Sequence, residues 1–281
     1  VQIKNVNTDS VKSKKYKNTR NYKIASLIEY NSSYPLKNEG VNYNDILKPM
    51  VSLKFSPNDN KDMKNEDRRI DINNIFSMNR LGINDAVEGG ASLTYGLEFL
   101  KTNKFTEKDF FEAKIASIFR AEKNKNLPSN SKLGDKSSDI VGALNFIPND
   151  FFNINYGFSV DDNFEDNNYE LLKTEIKVNN FVTSFEYLNE NNTTGNESYL
   201  TNEISYTLDD SKSLIFKKRE NKKTNVTEFY NLIYQYRNDC LIAALEYNKN
   251  HYMDRDLKPE ENIFFKLTIV PFGETSSPNL K

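Results

Sequence analysis

The ten residues FFNINYGFSV, 151–160, decide the fold. In an extended chain Phe152, Ile154, Tyr156, Phe158 and Val160 fall on one face, and Asn153, Asn155, Gly157 and Ser159 on the other. Side chains of a strand point to alternate faces, so this period of two is a β pattern. It returns in YNLIYQYR, 230–237, where Tyr230, Leu232, Tyr234 and Tyr236 oppose Asn231, Ile233, Gln235 and Arg237. In LTNEISYTL, 200–208, Leu200, Ile204, Tyr206 and Leu208 oppose Thr201, Glu203, Ser205 and Thr207. Similar windows lie at 22–36, 47–56, 88–101, 109–121, 139–148, 168–178, 180–189, 212–219, 239–249 and 261–272. No amphipathic helical window competes with them. The expectation is an all-β antiparallel protein with about thirteen strands.

The windows run to about ten residues, longer than the usual five or six of a soluble sheet. Ten tilted residues are what a strand needs to cross a hydrocarbon layer. The connectors add a second signal. Short turns fall at 148–150, 179–180, 209–211 and 238–239, and longer polar connectors at 122–138, 161–168, 190–198, 220–226 and 250–260. Short turns on one side and long loops on the other are the pattern of an outer-membrane β-barrel, with the short turns periplasmic. Carried through the chain, this parity makes 57–88 an extracellular loop and the end of the last strand periplasmic. Residues 1–21 become the tail of a truncated extracellular loop, and 273–281 a periplasmic tail. An odd strand count and an opening on Val1 in a polar segment lead us to expect a C-terminal portion of a longer chain.

Composition excludes several classes. The 281 residues carry 38 Lys and Arg against 40 Asp and Glu, a formal charge of -2, so nothing argues for a nucleic-acid surface. The basic run 12–20 reads as a solvated loop or as a phosphate-attracting stretch. No apolar stretch approaches a spanning helix. The aromatic content, 16 Tyr and 19 Phe with no Trp, favours strands.

Little in the sequence has the makings of catalysis. His251 is the one imidazole, and no Ser or acid stands out as its partner, so Ser–His–acid chemistry and a metal site are both disfavoured. Asp161-Asp162 and Asp209-Asp210 read as turn residues, and Val87-Glu88-Gly89-Gly90 lacks the spacing of a phosphate loop. Neither an enzyme nor a cofactor is expected. Cys240 is the sole cysteine. It follows the turn at 238–239, on the parity of Ile242, Ala244 and Glu246, and is expected to point inward. It is either an inert small hydrophobe or, in an oxidising periplasm, half of a disulfide. Pro271 either weakens the ladder of the last strand or simply ends it.

Several stretches resemble a known family. LKPMVSLKFSP (47–57), IDINNIFSMNRLGINDAVEGGASLTYGLEF (70–99), LIYQYRNDCLIAALEYNKNHYMDRDLKPEENIFFKLTIVPFG (232–273) and TSSPN (275–279) are similar to the C-terminal half of the LptD (OstA/Imp) lipopolysaccharide-assembly proteins of Gram-negative outer membranes. The resemblance implies an antiparallel transmembrane barrel of about 26 strands, of which this chain supplies about half, behind a periplasmic jellyroll. It implies lipopolysaccharide as cargo, an LptE-type lipoprotein plug in the lumen, and an LptA-type periplasmic bridge reached through the N-terminal domain. Asn74, Phe76, Asn79, Arg80, Asp85, Glu88, Gly89 and Gly90 carry the loop motif. Ile263, Phe265, Leu267, Ile269 and Pro271 would form one lip of a lateral gate, and Cys240 matches a position that bridges to the N-terminal domain. With Asp239 where some relatives have a second cysteine, one bridge is available. The alternatives left open are a generic porin or ligand-binding barrel and a soluble β-rich adhesin. Their discriminator is whether the aromatic rows look outward into lipid or are buried against a second sheet.

Overall fold

The structure, a computed structural model, describes residues 2–6, 21–57, 62–83, 86–192, 195–251, 259–270 and 273–276. Its strands are β1 (Gln2–Val6), β2 (Asn21–Ala25), β3 (Ile28–Ser33), β4 (Leu36–Glu39), β5 (Tyr43–Ser56), β6 (Gly90–Asn103), β7 (Asp109–Arg120), β8 (Ile140–Asn149) and β9 (Phe152–Val160). They continue as β10 (Asn167–Val178), β11 (Phe181–Asn192), β12 (Gly195–Asp209), β13 (Lys212–Asn221), β14 (Val226–Arg237), β15 (Leu241–Asn250), β16 (Glu260–Ile269) and β17 (Gly273–Ser276). A 3-10 turn at Asn130–Lys132 is the helical element among the described residues.

Every alternating window is a strand. β1 pairs with β2, and the main sheet of 15 strands runs open in the order β3-β5-β6-β7-β8-β9-β10-β11-β12-β13-β14-β15-β16-β17, with β4 also on β5. Each pair for which the register is resolved is antiparallel, and nearest neighbours in sequence are nearest neighbours in the sheet, as hairpin connections demand. The first window is broken into β2, β3 and β4. Its second break falls at Tyr34-Pro35, where proline has no N–H to give the ladder.

Two expected loops are shorter than the sequence indicated. β11 and β12 leave only 193–194 between them, and β13 and β14 only 222–225. Their ends are rich in Asn, Glu and Thr on both faces, so alternation fades while the backbone ladder continues. Within the main sheet the long connectors are 57–89, 121–139 and 251–259. Gly273–Ser276, read as tail, instead pairs with Lys266–Ile269 of β16 and satisfies part of that strand's open edge.

The chain divides into two compact units. In the first, β5, β6 and β7 bury their polar face. Ser52, Lys54, Ser56, Ser92, Thr94 and Arg120 are buried there, whereas Val51, Leu53, Phe55, Tyr95, Leu97, Ile115 and Phe119 on the opposite face are exposed. The cover on the polar face comes from the connectors 57–89 and 121–139. Met63, Ile70, Ile75, Leu81 and Ala86 from the one join Leu127 and Leu133 from the other, over Ala116, Ile118 and Val141 of the strands. Backbone bonds Met63 N to Asn126 O (2.7 Å) and Ser129 N to Lys64 O (3.3 Å) tie the two connectors into one cap. Gly96 of β6 makes the seat for it: a Cβ there would lie 2.9 Å from the Phe76 ring, so only glycine lets that ring rest on the strand.

In the second unit the register lines up whole rows. Tyr206, Leu214, Tyr234, Leu245 and Phe265 are successive cross-strand partners on β12 to β16, and all are exposed. The adjacent row is Ile204, Phe216, Leu232, Tyr247 and Ile263. On the other face Glu203, Lys217, Asn231, Asn248 and Asn262 pair in the same way. There Glu246 accepts hydrogen bonds from Asn231 (2.6 Å) and Asn248 (2.9 Å) and an ion pair from Lys266 (2.7 Å). The apolar face ends toward the 251–259 connector at the row Asn202, Lys218, Tyr230, Lys249 and Glu261.

Candidate functional site

The loop motif of the sequence folds into a buried ionic latch between the cap and the polar face. Arg80 enters from the cap. Its Nε donates to Glu88 Oε2 (2.6 Å), its Nη1 to Thr94 Oγ1 (2.9 Å) and its Nη2 to Ser92 Oγ (2.9 Å) and Glu88 Oε1. Glu88 also takes Arg120 Nη1 from β7, and Arg120 Nη2 donates to Gly89 O. Lys54 of β5 donates to Ser77 O and lies 3.4 Å from Glu29 of β3, which accepts from Ser52 Oγ (3.0 Å). The side chains of Arg80, Arg120 and Lys54 keep 0%, 2% and 2% of their surface exposed, so water screens this network very little. Burial works to raise the Glu88 carboxyl, but Arg80, then Arg120 and Lys54, overcome it and hold the group below its ordinary range.

The remaining motif residues shape the cap. Asn74 accepts from Asp71 N (3.0 Å) and donates to Arg69 O (3.1 Å), closing a turn before Ile75. Phe76 packs against the core, and Asn79 lines a cavity of about 300 Å³ with Leu27, Met78 and Val87. Gly90 has φ +86, a left-handed conformation that favours glycine, and a Cβ would meet Arg120 Nη2 at 3.1 Å. Asp85 lies outside the described residues. The structure therefore unites Arg80, Glu88 and Gly89, and adds Lys54, Thr94 and Arg120, which the motif did not reveal. Their signal was parity: each is a polar side chain on the face opposite an exposed apolar row.

A second polar knot anchors the other connector. Asp139, fully buried, accepts from Ser159 Oγ (3.0 Å) and Asn168 Nδ2 (2.8 Å), and burial raises its carboxyl. Asp161 is held low by the backbone N–H groups of Asp166 and Glu165 and by Lys132 (3.4 Å).

Elsewhere the expected site residues do not converge. Ile263, Phe265, Leu267 and Ile269 all lie on β16, with Ile263, Phe265 and Ile269 exposed, and Pro271 is outside the described residues. Cys240 is exposed with a free thiol, in the turn and not in the strand. Asn238 Oδ1 accepts from both Cys240 N (3.0 Å) and Leu241 N (2.8 Å), which closes the turn, and Cys240 O accepts from Val270 N (3.0 Å) just ahead of β15. His251 stands edge-on to Tyr230, and no cluster of three or more His, Cys, Asp or Glu among the described residues could hold a metal ion.

Residues 2–212 match the family model described as LPS transport system D, LptD. The chain belongs to the LptD family. No curated protein matches it. LptD proteins serve lipopolysaccharide transport at the outer membrane of Gram-negative bacteria, and theirs is a transport and assembly family, not an enzyme family. The match contains the whole ionic latch and stops before Cys240 and β16. No helix among the described residues is long and apolar enough to cross a membrane, a test that does not bear on spanning strands.

Proposed function

We propose that this LptD-family chain forms part of the wall of an outer-membrane β-barrel that delivers lipopolysaccharide to the outer leaflet, with 57–89 and 121–139 capping its extracellular side. The observation that carries this reading is the inverted burial of the sheet. Ser52, Lys54, Thr94 and Arg120 are buried while Leu53, Phe55, Leu97 and Phe119 on the same strands are exposed, the reverse of a sheet that folds in water. On β15, ten residues long, the positions Leu241, Ala243, Leu245 and Tyr247 make one face apolar, and ten tilted residues are what a strand needs to cross the hydrocarbon layer.

The mechanism follows from the two faces. Acyl chains cross a polar lumen at high cost, and sugars cross hydrocarbon at high cost. A seam along β16, whose edge is satisfied by β17 only from Lys266 to Ile269, lets acyl chains leave sideways while the glycan stays in the polar interior. No bond in the cargo breaks. An LptE-type plug and an LptA-type bridge complete the proposed route. Depletion of the full-length protein in cells should lower lipopolysaccharide at the cell surface, with rescue by re-expression. Unchanged surface lipopolysaccharide after depletion sinks the transport reading.

The exposed thiol in the short turn also supports a disulfide from Cys240 to a domain outside this chain. On a non-reducing gel, Cys240→Ser in the full-length protein should change mobility to that of the reduced form. Identical migration of the two proteins removes the bridge.

A further inference from the structure

We propose a binding site for a phosphorylated diacyl lipid on the rim of β5, β6 and β7, an inference that rests on the membrane orientation above. Two hollows meet there. On the exposed face a groove of about 390 Å³ is lined by Ile28, Tyr30, Leu53, Phe55, Leu93 and Phe119. At the strand ends a cavity of about 550 Å³ is lined by Ser56, Gly90, Arg120, Lys123, Asn124 and Lys125. Phe55, Ala91 and Ala121 line both, so the apolar groove and the polar cavity adjoin.

Three cations and one anion, Glu122, line the upper hollow. Lys123 is held 3.0 Å from Asp135 with both side chains about half exposed, an arrangement too well hydrated to consume its charge. Arg120 is different. It is 1% exposed, its Nη atoms are committed to Glu88 and Gly89, and its Nε is buried without a hydrogen-bond partner. An unpaired buried donor is costly, and an anion in the adjoining cavity is the kind of group that would relieve it. The basic hollow sits on top of an apolar slot, so the charge pattern fits one amphiphile: a phosphate head in the cavity and an acyl chain against Phe55 and Phe119. A free anion leaves the groove empty, and a neutral lipid leaves Arg120 Nε without an acceptor. None of these residues belongs to the seam on β16, so this lipid would be a resident of the wall and not cargo in transit.

The test is native mass spectrometry of the full-length protein in detergent, titrated with dioleoyl phosphatidic acid, dioleoylglycerol or inorganic phosphate. Phosphatidic acid should be retained, and the Lys123→Gln/Lys125→Gln variant should bind it about tenfold more weakly while Lys218→Gln/Lys249→Gln binds normally. A Phe119→Ala variant should weaken it as well. Equal retention of dioleoylglycerol, or displacement of the lipid by inorganic phosphate at matching concentration, overturns the proposal. The same samples report heat-modifiable migration. Barrel-like migration with no lipid retained sinks the lipid site alone, whereas loss of that migration sinks the membrane reading beneath it.

Discussion

Glu88→Ala is expected to open the cap. The substitution leaves two guanidiniums, Arg80 and Arg120, buried without their shared carboxylate, and removing one partner from a buried charge network costs about 3–5 kcal/mol. Because the latch joins the cap to β6 and β7 through side chains, the loss should fall on the cap first and leave the strand ladders intact. Hydrogen exchange of the full-length protein in detergent reads this directly. The amides of Ile75 and Ser77, which bond to Asp71 O (3.0 Å) and Asn74 O (2.9 Å), should lose protection, while those of Leu232 and Leu245 keep theirs. Unchanged protection at Ile75 rules out the latch. The sign of the acid response follows from the depressed Glu88 carboxyl. A group held below its unfolded value stabilises the fold above that value and loses its contribution as the pH falls through the folded one. The gap between the native protein and Glu88→Gln is therefore full at neutral pH and narrows below the ordinary carboxylate value of 4.5. A gap that widens in acid contradicts the assignment.

Leu245→Lys separates a lipid-facing row from a merely exposed one. Leu245 is 51% exposed and stands between Tyr234 and Phe265 in the row that crosses β12 to β16. In water, a lysine at a half-exposed strand position changes stability by about half a kcal/mol or less. At the middle of a bilayer the same lysine on the lipid face of a barrel costs about 2–4 kcal/mol. Urea titration of the protein refolded into lipid vesicles should show the larger loss, and Lys249→Leu, at the polar edge of the band, should be close to neutral. A small effect at Leu245 means that the row faces water and withdraws the barrel.

The strands and their two faces are legible in the sequence because alternation is a local property. Phe152 to Val160 or Tyr230 to Tyr236 needs no partner to declare which side chains share a face. The ends of β11 to β14 were misjudged for the same reason: beyond the apolar band both faces are polar, so the period vanishes although backbone pairing persists. Arg80 and Glu88 were visible as part of a motif, but nothing in the motif said what they bind. Arg120, 32 positions beyond Glu88, reaches it only through the register of β6 and β7.

By itself the sequence determined an all-β antiparallel chain with one apolar and one polar face, and the kinship of its loop motif with LptD. Only the tertiary structure decided that 57–89 is not a solvated excursion but half of a cap with its own apolar core, pinned to the polar face by Arg80, Glu88 and Arg120. Hydrophobic periodicity records where a side chain points relative to its own backbone. Which opposing charge it meets depends on strand register and loop closure, and those are settled by contacts between residues far apart in the chain.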